Sequence, residues 1–484
     1  MSELHYLSAG QLAEKLRNHE IGARELLEHF LGRVEKYNDK LNAIIWMDLD
    51  AARNRADEAD AVLRRGETWG PLTGLPMTVK ESFNVAGSPQ TWGVPELANN
   101  IIDHDGDATL KLKAAGAVIF GKTNVPLKLA DWQSFNDIYG TTNNPWDPAL
   151  TPGGSSVKPA ANAAPAPPGL ELGSDIGASI RNPAHYCGVF GHKPTWGIVP
   201  SAGHNLPQQH DVADIAVCGP LARSAEDLRL ELDIIAGPEP IDATPWQLRL
   251  PPSRHTSLKD FRVAVMLNDP NAEVDLEYQD MLQAIVEKLA GAGATVSDKA
   301  RPEIDTDRAM EVYIQLLRAA TSGGHSDEEV QHIQAAAAET SRGTTDYISQ
   351  VARAVTMPHT DWLKLNNERA IMRHAWAAFF RDWDILLCPA ASSAAWPHDQ
   401  EGERYQRTIN VNNKAQPTTD QLFWAGFSGM AYLPSTVSPA GRTKSGLPVG
   451  LQAIAAHGED HTSIEFCRLT AELIGGFTPP PGYD

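Results

Sequence analysis

A strand, a helix and a second strand in close succession constrain this chain more than any other local pattern. Residues 77–80 (MTVK) and 117–122 (AVIFGK) are short apolar runs that read as buried strands, and 108–117 (ATLKLKAAGA) reads as the helix between them. A crossover of that kind returns the second strand parallel to the first with a helix on the sheet face, so the expected class is α/β. Further on, 261–267 (FRVAVML) reads as a strand ahead of a long helix whose Leu282, Ile285, Val286 and Leu289 form a core stripe.

The flanking segments are mostly helical. Ser8 and Gln11 form a capping box that opens the first helix, and 23–37 carries Leu27, Phe30, Leu31 and Val34 on one face. A short strand at 41–47 and a charged helix at 51–65 follow. The proline-rich stretch 237–258 has no periodicity and reads as an ordered excursion or a linker, while about 305–380 reads as helical and is expected to cover one side of the sheet. No internal repeat is evident.

Composition excludes several partners. The chain has 484 residues, of which 42% are apolar, enough to bury a large core. That length allows two or three domains, though no boundary is clear. Against 41 basic residues stand 61 acidic ones, a formal charge of −20 that repels nucleic acid and anionic membrane surfaces. Cys187, Cys218, Cys388 and Cys467 are scattered without a CxxC or Cys/His cluster, which argues against both a disulfide scaffold and a zinc site. The N-terminus lacks the pattern of a signal peptide, and no apolar run approaches bilayer length. A soluble cytoplasmic protein is expected.

The chemistry concentrates between Pro152 and Pro194. Gly153-Gly154-Ser155-Ser156 is a flexible turn that exposes hydroxyls, and Ser179 ends a run of small residues whose N–H groups could converge on an anion. A serine nucleophile needs a base. None of the 16 histidines sits in a recognisable nucleophile motif, and GASIR breaks the GxSxG elbow at its last position. The remaining candidate is Lys80, which ends the strand in GLPMTVKES and can serve only if burial leaves it neutral. The residues alone leave the plainer readings open: a GGSS segment is commonly just a turn, and a strand-end lysine commonly reaches solvent.

The motifs taken together resemble the amidase signature family. The resemblance runs in order through GLPMTVKESF (74–83), GKTNVP (121–126), TPGGSS (151–156), GSDIGASIR (173–181), PAHYCGVFGHKPTWG (183–197), GPLARSAEDL (219–228) and GLPVGLQAIA (446–455). Lys80 precedes Ser155 by 75 residues and Ser155 precedes Ser179 by 24, in agreement with the family. The resemblance implies a single α/β domain over 1–484 with its core signature at about 70–230, a twisted mixed sheet surrounded by helices. It implies Ser179 as nucleophile, Ser155 after a cis peptide bond as the bridging serine, and Lys80 as base. The N–H groups of Ile176, Gly177, Ala178 and Ser179 would form the oxyanion hole. No metal or cofactor is implied.

The implied substrate is a small or hydrophobic acyl amide. The alternatives are carbamate or aryl ester hydrolysis, a catalytically impaired member, and a glutamine-dependent amidotransferase subunit. TNVPLKLADW (123–132) resembles the fatty acid amide hydrolase branch, which places Leu129, Asp131 and Trp132 near an acyl pocket; ordinary core packing is the competing account. Asp175 and Arg181 read as positioning residues, Asn124 as a turn residue, and His185 and His192 as core or surface histidines. A homodimer is common at this size.

Two departures from the family stand out. Ala178 replaces a usual glycine, which is tolerable at negative φ and strained at positive φ. VKPAANAAPAPPG (157–169) replaces a glycine- and alanine-rich helix, as a local remodelling or a pair of compensating frameshifts, and is expected to loosen the support of Ser155.

Overall fold

The computed structural model describes residues 4–157, 169–245, 247–338 and 346–483. Eleven strands pair into one mixed sheet, in the order Ile44–Met47, Val118–Thr123, Pro76–Lys80, Glu171–Asp175, Val217–Ala222, Phe190–Lys193, Ser435–Arg442, Pro448–Ile454, Ile385–Pro389, Arg262–Val265 and Thr295–Ser297. Helices pack around it, as the alternation of apolar runs implies.

The strand–helix–strand unit forms as expected. Pro76–Lys80 and Val118–Thr123 pair in parallel with Lys80 opposite Thr123, and the helix Asp107–Ala114 makes the crossover. Glu171–Asp175 joins the other side of Pro76–Lys80, also parallel, with Val79 opposite Leu172. Lys80 therefore ends its strand beside Gly173 and Ser174, at the carboxyl edge where open α/β sheets carry their sites. On the far side of Glu171–Asp175, Val217–Ala222 runs antiparallel and sets Cys218 opposite Ser174.

The capping box of Ser8 and Gln11 is present in full. The second helix extends to Leu41, past its expected end at Tyr37, so the strand begins at Ile44 rather than 41. Asn42 at φ 49° ends that helix in the left-handed region, and the Asn38 side chain accepts from the N–H groups of Ala43 and Ile44. The stretch 237–257 has no helix or strand among its described residues. It is an ordered excursion, because Arg254 binds Asp384 at 3.1 Å and Glu459 at 2.5 Å.

The helical segment after 305 divides between two surfaces. Its last helix, His359–Asp382, covers the sheet core through Trp376, Phe379 and Phe380, and Met310 packs beside them. The rest of the apolar stripe on Thr306–Ala320, Val312, Tyr313, Leu316 and Leu317, belongs to a separate cluster with the buried helix Leu422–Gly429 and walls a cavity. The expected disruption at 157–169 falls mainly on 158–168, which lie outside the described residues; Val157 is fully buried. All four cysteines are buried free thiols. Among the described residues no His/Cys/Asp/Glu group could hold a metal, and no helix is long and apolar enough to cross a membrane.

Candidate active site

Lys80 is completely buried at its strand end. Its Nζ lies 2.6 Å from Ser155 Oγ and 2.8 Å from Ser174 Oγ. Burial pushes its pKa down from 10.5 to about 7, against the opposing pull of the Glu171 and Asp175 carboxylates. A neutral amine there keeps N–H groups to donate to Ser174 and a lone pair to accept from the Ser155 hydroxyl. The peptide bond before Ser155 is cis. Gly154 has no room for a side chain: a Cβ would clash with the Asp131 carbonyl oxygen.

Ser156 ties the two serine segments together. Its N–H donates to Ser179 O at 3.2 Å, its hydroxyl donates to Ser174 O at 3.2 Å, and it accepts from the Ser174 N–H at 3.3 Å. Ser155 and Ser179 both line one cavity of about 710 Å³. The cavity also brings in Ile176, Gly177, Leu129, Asp131 and Trp132.

The turn from Asp175 to Arg181 is held by one carboxylate. Asp175 accepts from the N–H groups of Ala178, Ile180 and Arg181 and from Nε and Nη2 of Arg181, all within 3.3 Å. The neighbouring Arg181 guanidinium keeps Asp175 below the usual carboxylate range despite full burial. Arg181 Nη1 continues to Ala425 O, Ser428 and Gln452, each at 2.9 Å, so the turn is anchored to the helix and strand beneath it.

Two donors fix which way this turn faces. Tyr313 OH donates to Ile176 O at 3.0 Å, and Trp132 Nε1 donates to Gly177 O at 2.7 Å. With those carbonyls held on one side, the N–H groups of Ile176, Gly177 and Ser179 have no hydrogen-bond partner among the described residues. Ala178 is a correction to the sequence reading. Its N–H already donates to Asp175 Oδ1 at 3.0 Å, which removes it from the expected set of oxyanion donors. Its φ is +75°, so the alanine occupies the strained conformation rather than the tolerable one.

Other candidates separate by partner. Asp131 is ion-paired with Arg407 at 2.7 Å, and Leu129 has φ 56° at the cavity wall. Asn124 fixes a turn, donating to Gly140 O at 3.0 Å and accepting from the Val125 N–H at 2.9 Å. His185 and His192 are both core residues, bonded to Ser393 O and Gly450 N, and to Thr436 and Asp460.

Sequence reasoning missed Ser174 and His204. Ser174 follows the strand register directly, since its place beside Lys80 comes from parallel pairing. His204 lines the cavity, shares a hydrogen bond with Ser82 Oγ at 3.0 Å, and packs on Phe83 and Trp92. Burial, then the Lys80 charge, push its pKa down to about 3, which keeps the ring neutral. No motif around GHN (203–205) marks it.

The fold is that of the amidase signature class, hydrolases of carbon–nitrogen bonds other than peptide bonds. The amidase family model matches residues 25–464, and the chain belongs to that family. An acylamidase of Rhodococcus erythropolis is 30% identical, covering 94% of this chain and 93% of its own. A glutamyl-tRNA(Gln) amidotransferase subunit of Bdellovibrio bacteriovorus is 28% identical over 99% of both. A crystal structure of an amidase superposes with a TM-score of 0.77 at 26% identity, covering 97% of this chain and 100% of its own.

Proposed function

We propose that residues 1–484 act as one unit that hydrolyses the C–N bond of a small or hydrophobic acyl amide through an acyl-enzyme on Ser179. The observation that carries this reading is the 2.6 Å contact between a completely buried Lys80 and Ser155 Oγ. Neutral Lys80 takes the Ser155 proton while Ser155 takes the Ser179 proton, and Ser179 Oγ attacks the carbonyl. The unpartnered N–H groups of Ile176, Gly177 and Ser179 receive the developing oxyanion. Each such donor typically contributes on the order of 10²–10³ in rate. The proton returns along the same path to the leaving amine, and water then releases the acyl group.

The test is hydrolysis of p-nitroanilides, p-nitrophenyl esters and an aryl carbamate, with Ser179→Ala as control and a fluorophosphonate probe for the serine. Turnover and labelling that vanish in the variant support the reading, and turnover that survives in Ser179→Ala overturns it. The rates across the panel decide between amide, ester and carbamate chemistry. Likeness along nearly the full length to a glutamyl-tRNA(Gln) amidotransferase subunit supports a second reading, release of ammonia from glutamine in the company of partner proteins. A glutaminase assay with and without those partners separates the two.

A further inference from the structure

The cavity that holds Ser179 is lined by both apolar and cationic side chains. Trp132, Ile176, Leu317 and Leu422 give it apolar surface on which methylene groups would pack. Arg318 and Arg404 line the same cavity. Both guanidinium groups sit against the Tyr347 ring, 5.4 and 6.0 Å from its centroid. Arg404 donates to Tyr347 OH at 2.8 Å and to Ala130 O.

Charge counting around this wall leaves a surplus. Asp131 is the carboxylate nearest Arg404, and it is already paired with Arg407 at 2.7 Å. Arg318 has no carboxylate partner among the described residues, and its Nε, shielded from solvent, has no hydrogen-bond partner there. The remaining charges facing the cavity are spoken for in pairs: Lys128 with Glu329 at 2.7 Å, Asp214 with Arg369 at 2.7 Å, Asp175 with Arg181 at 2.9 Å. Asp211 is the exception, an exposed carboxylate with no ion pair among the described residues. A guanidinium shielded from solvent at Nε and left without an anion is costly, and its planar fork is matched by a carboxylate.

We propose that Arg318, assisted by Arg404, binds a carboxylate at the far end of the substrate's acyl chain, so that the preferred substrates are ω-carboxyacyl amides, the monoamides of dicarboxylic acids. This rests on Ser179 as the acylated residue. The helix Thr306–Ala320 supplies the spacing. Its Tyr313 touches the turn at Ile176, and Arg318 lies five residues further, about 7.5 Å along the axis. The carboxylate is therefore separated from the reacting carbonyl by a chain of several methylenes, which the apolar wall accommodates.

Succinyl, glutaryl and adipyl p-nitroanilides, each compared with the neutral acyl anilide of matching length, test the proposal. The longer carboxyacyl substrates are expected to exceed their neutral counterparts in kcat/KM by on the order of 10- to 100-fold, the range of a charged hydrogen-bonded pair. Arg318→Met abolishes that ratio, and Arg318→Lys, which keeps the charge and loses the fork, gives an intermediate one. Adipate alone, which needs no catalysis, raises the melting temperature of the wild type and protects Ser179 from a fluorophosphonate. A ratio near one in wild type and Arg318→Met alike, with Ser179 labelled and neutral anilides turned over, overturns the carboxylate site and leaves the hydrolase reading standing. Absence of both turnover and labelling overturns the hydrolase reading and this one with it.

Discussion

Replacing Lys80 with methionine removes a charge from a place where charge is expensive. Burial moves the lysine pKa from 10.5 to about 7. Between those values the unfolded chain binds a proton that the folded chain does not, so this group's contribution to stability rises with pH across that window. At pH 7 the linkage amounts to a cost on the order of 4 kcal/mol for keeping Lys80 inside, and by pH 9 it has fallen to about 2 kcal/mol. Methionine has no such cost but gives up the hydrogen bonds to Ser155 and Ser174, about 1 kcal/mol each. Lys80→Met is therefore expected to be more stable than wild type by about 2 kcal/mol at pH 7 and equal to it near pH 9. Urea unfolding of both proteins at several pH values from 6.5 to 9.5 reads the difference, in which all other titrations cancel. A difference that is flat with pH, or that grows toward alkaline pH, would refute the argument. Hydrolysis by the variant is expected to be lost, which would make the lysine a case of stability given up for function.

Three further outcomes follow from the same geometry. For an amide substrate, kcat/KM should rise about tenfold per pH unit below pH 7 and level off above it, because only neutral Lys80 accepts a proton; a rate that holds constant down to pH 5 would sink the base assignment. Ala178→Gly relieves the alanine held at φ +75° and should stabilise the fold by about 0.5–1 kcal/mol after the added flexibility of the unfolded chain is offset; loss of stability in urea would contradict it. Trp132→Phe removes the indole donor to Gly177 O and should lower kcat by on the order of tenfold with a smaller change in KM, since the oxyanion turn loses its aim; a pure KM effect would mean that Trp132 only contacts the acyl group.

Much of the scaffold was legible because it is local. The parallel unit of Pro76–Lys80, Asp107–Ala114 and Val118–Thr123 is contiguous in the chain, and its apolar runs and intervening helix leave one arrangement. The glycine and serine runs around Ser155 and Ser179 were visible too, but they pointed to chemistry only through the resemblance of the whole set of motifs. What stayed hidden depends on residues far apart in the chain. Tyr313 reaches Ile176 across 137 positions, and Arg407 reaches Asp131 across 276. Neither pairing leaves a local pattern. Ala178 shows a subtler failure: the consecutive N–H groups from Ile176 to Ser179 look like equivalent donors, and only the folded turn shows that Asp175 has claimed one of them. The division of the helical stretch after 305 between the sheet core and a second cluster was not legible, because an apolar stripe specifies that a helix is covered, not which surface covers it.

Tyr313 joins two duties in one rod. The helix that carries it also presents Leu317 and Arg318 to the cavity, while its phenol holds a carbonyl of the turn that carries Ser179. Any exchange on that helix that re-shapes the pocket also re-tensions the turn. If the turn and the cavity act as proposed, substrate range and turnover cannot drift independently. A lineage that broadens its diet by altering the helix must regain its rate through a second change elsewhere, and Leu422, whose side chain stands where a Cβ on Gly177 would crowd it, is the place to look for it.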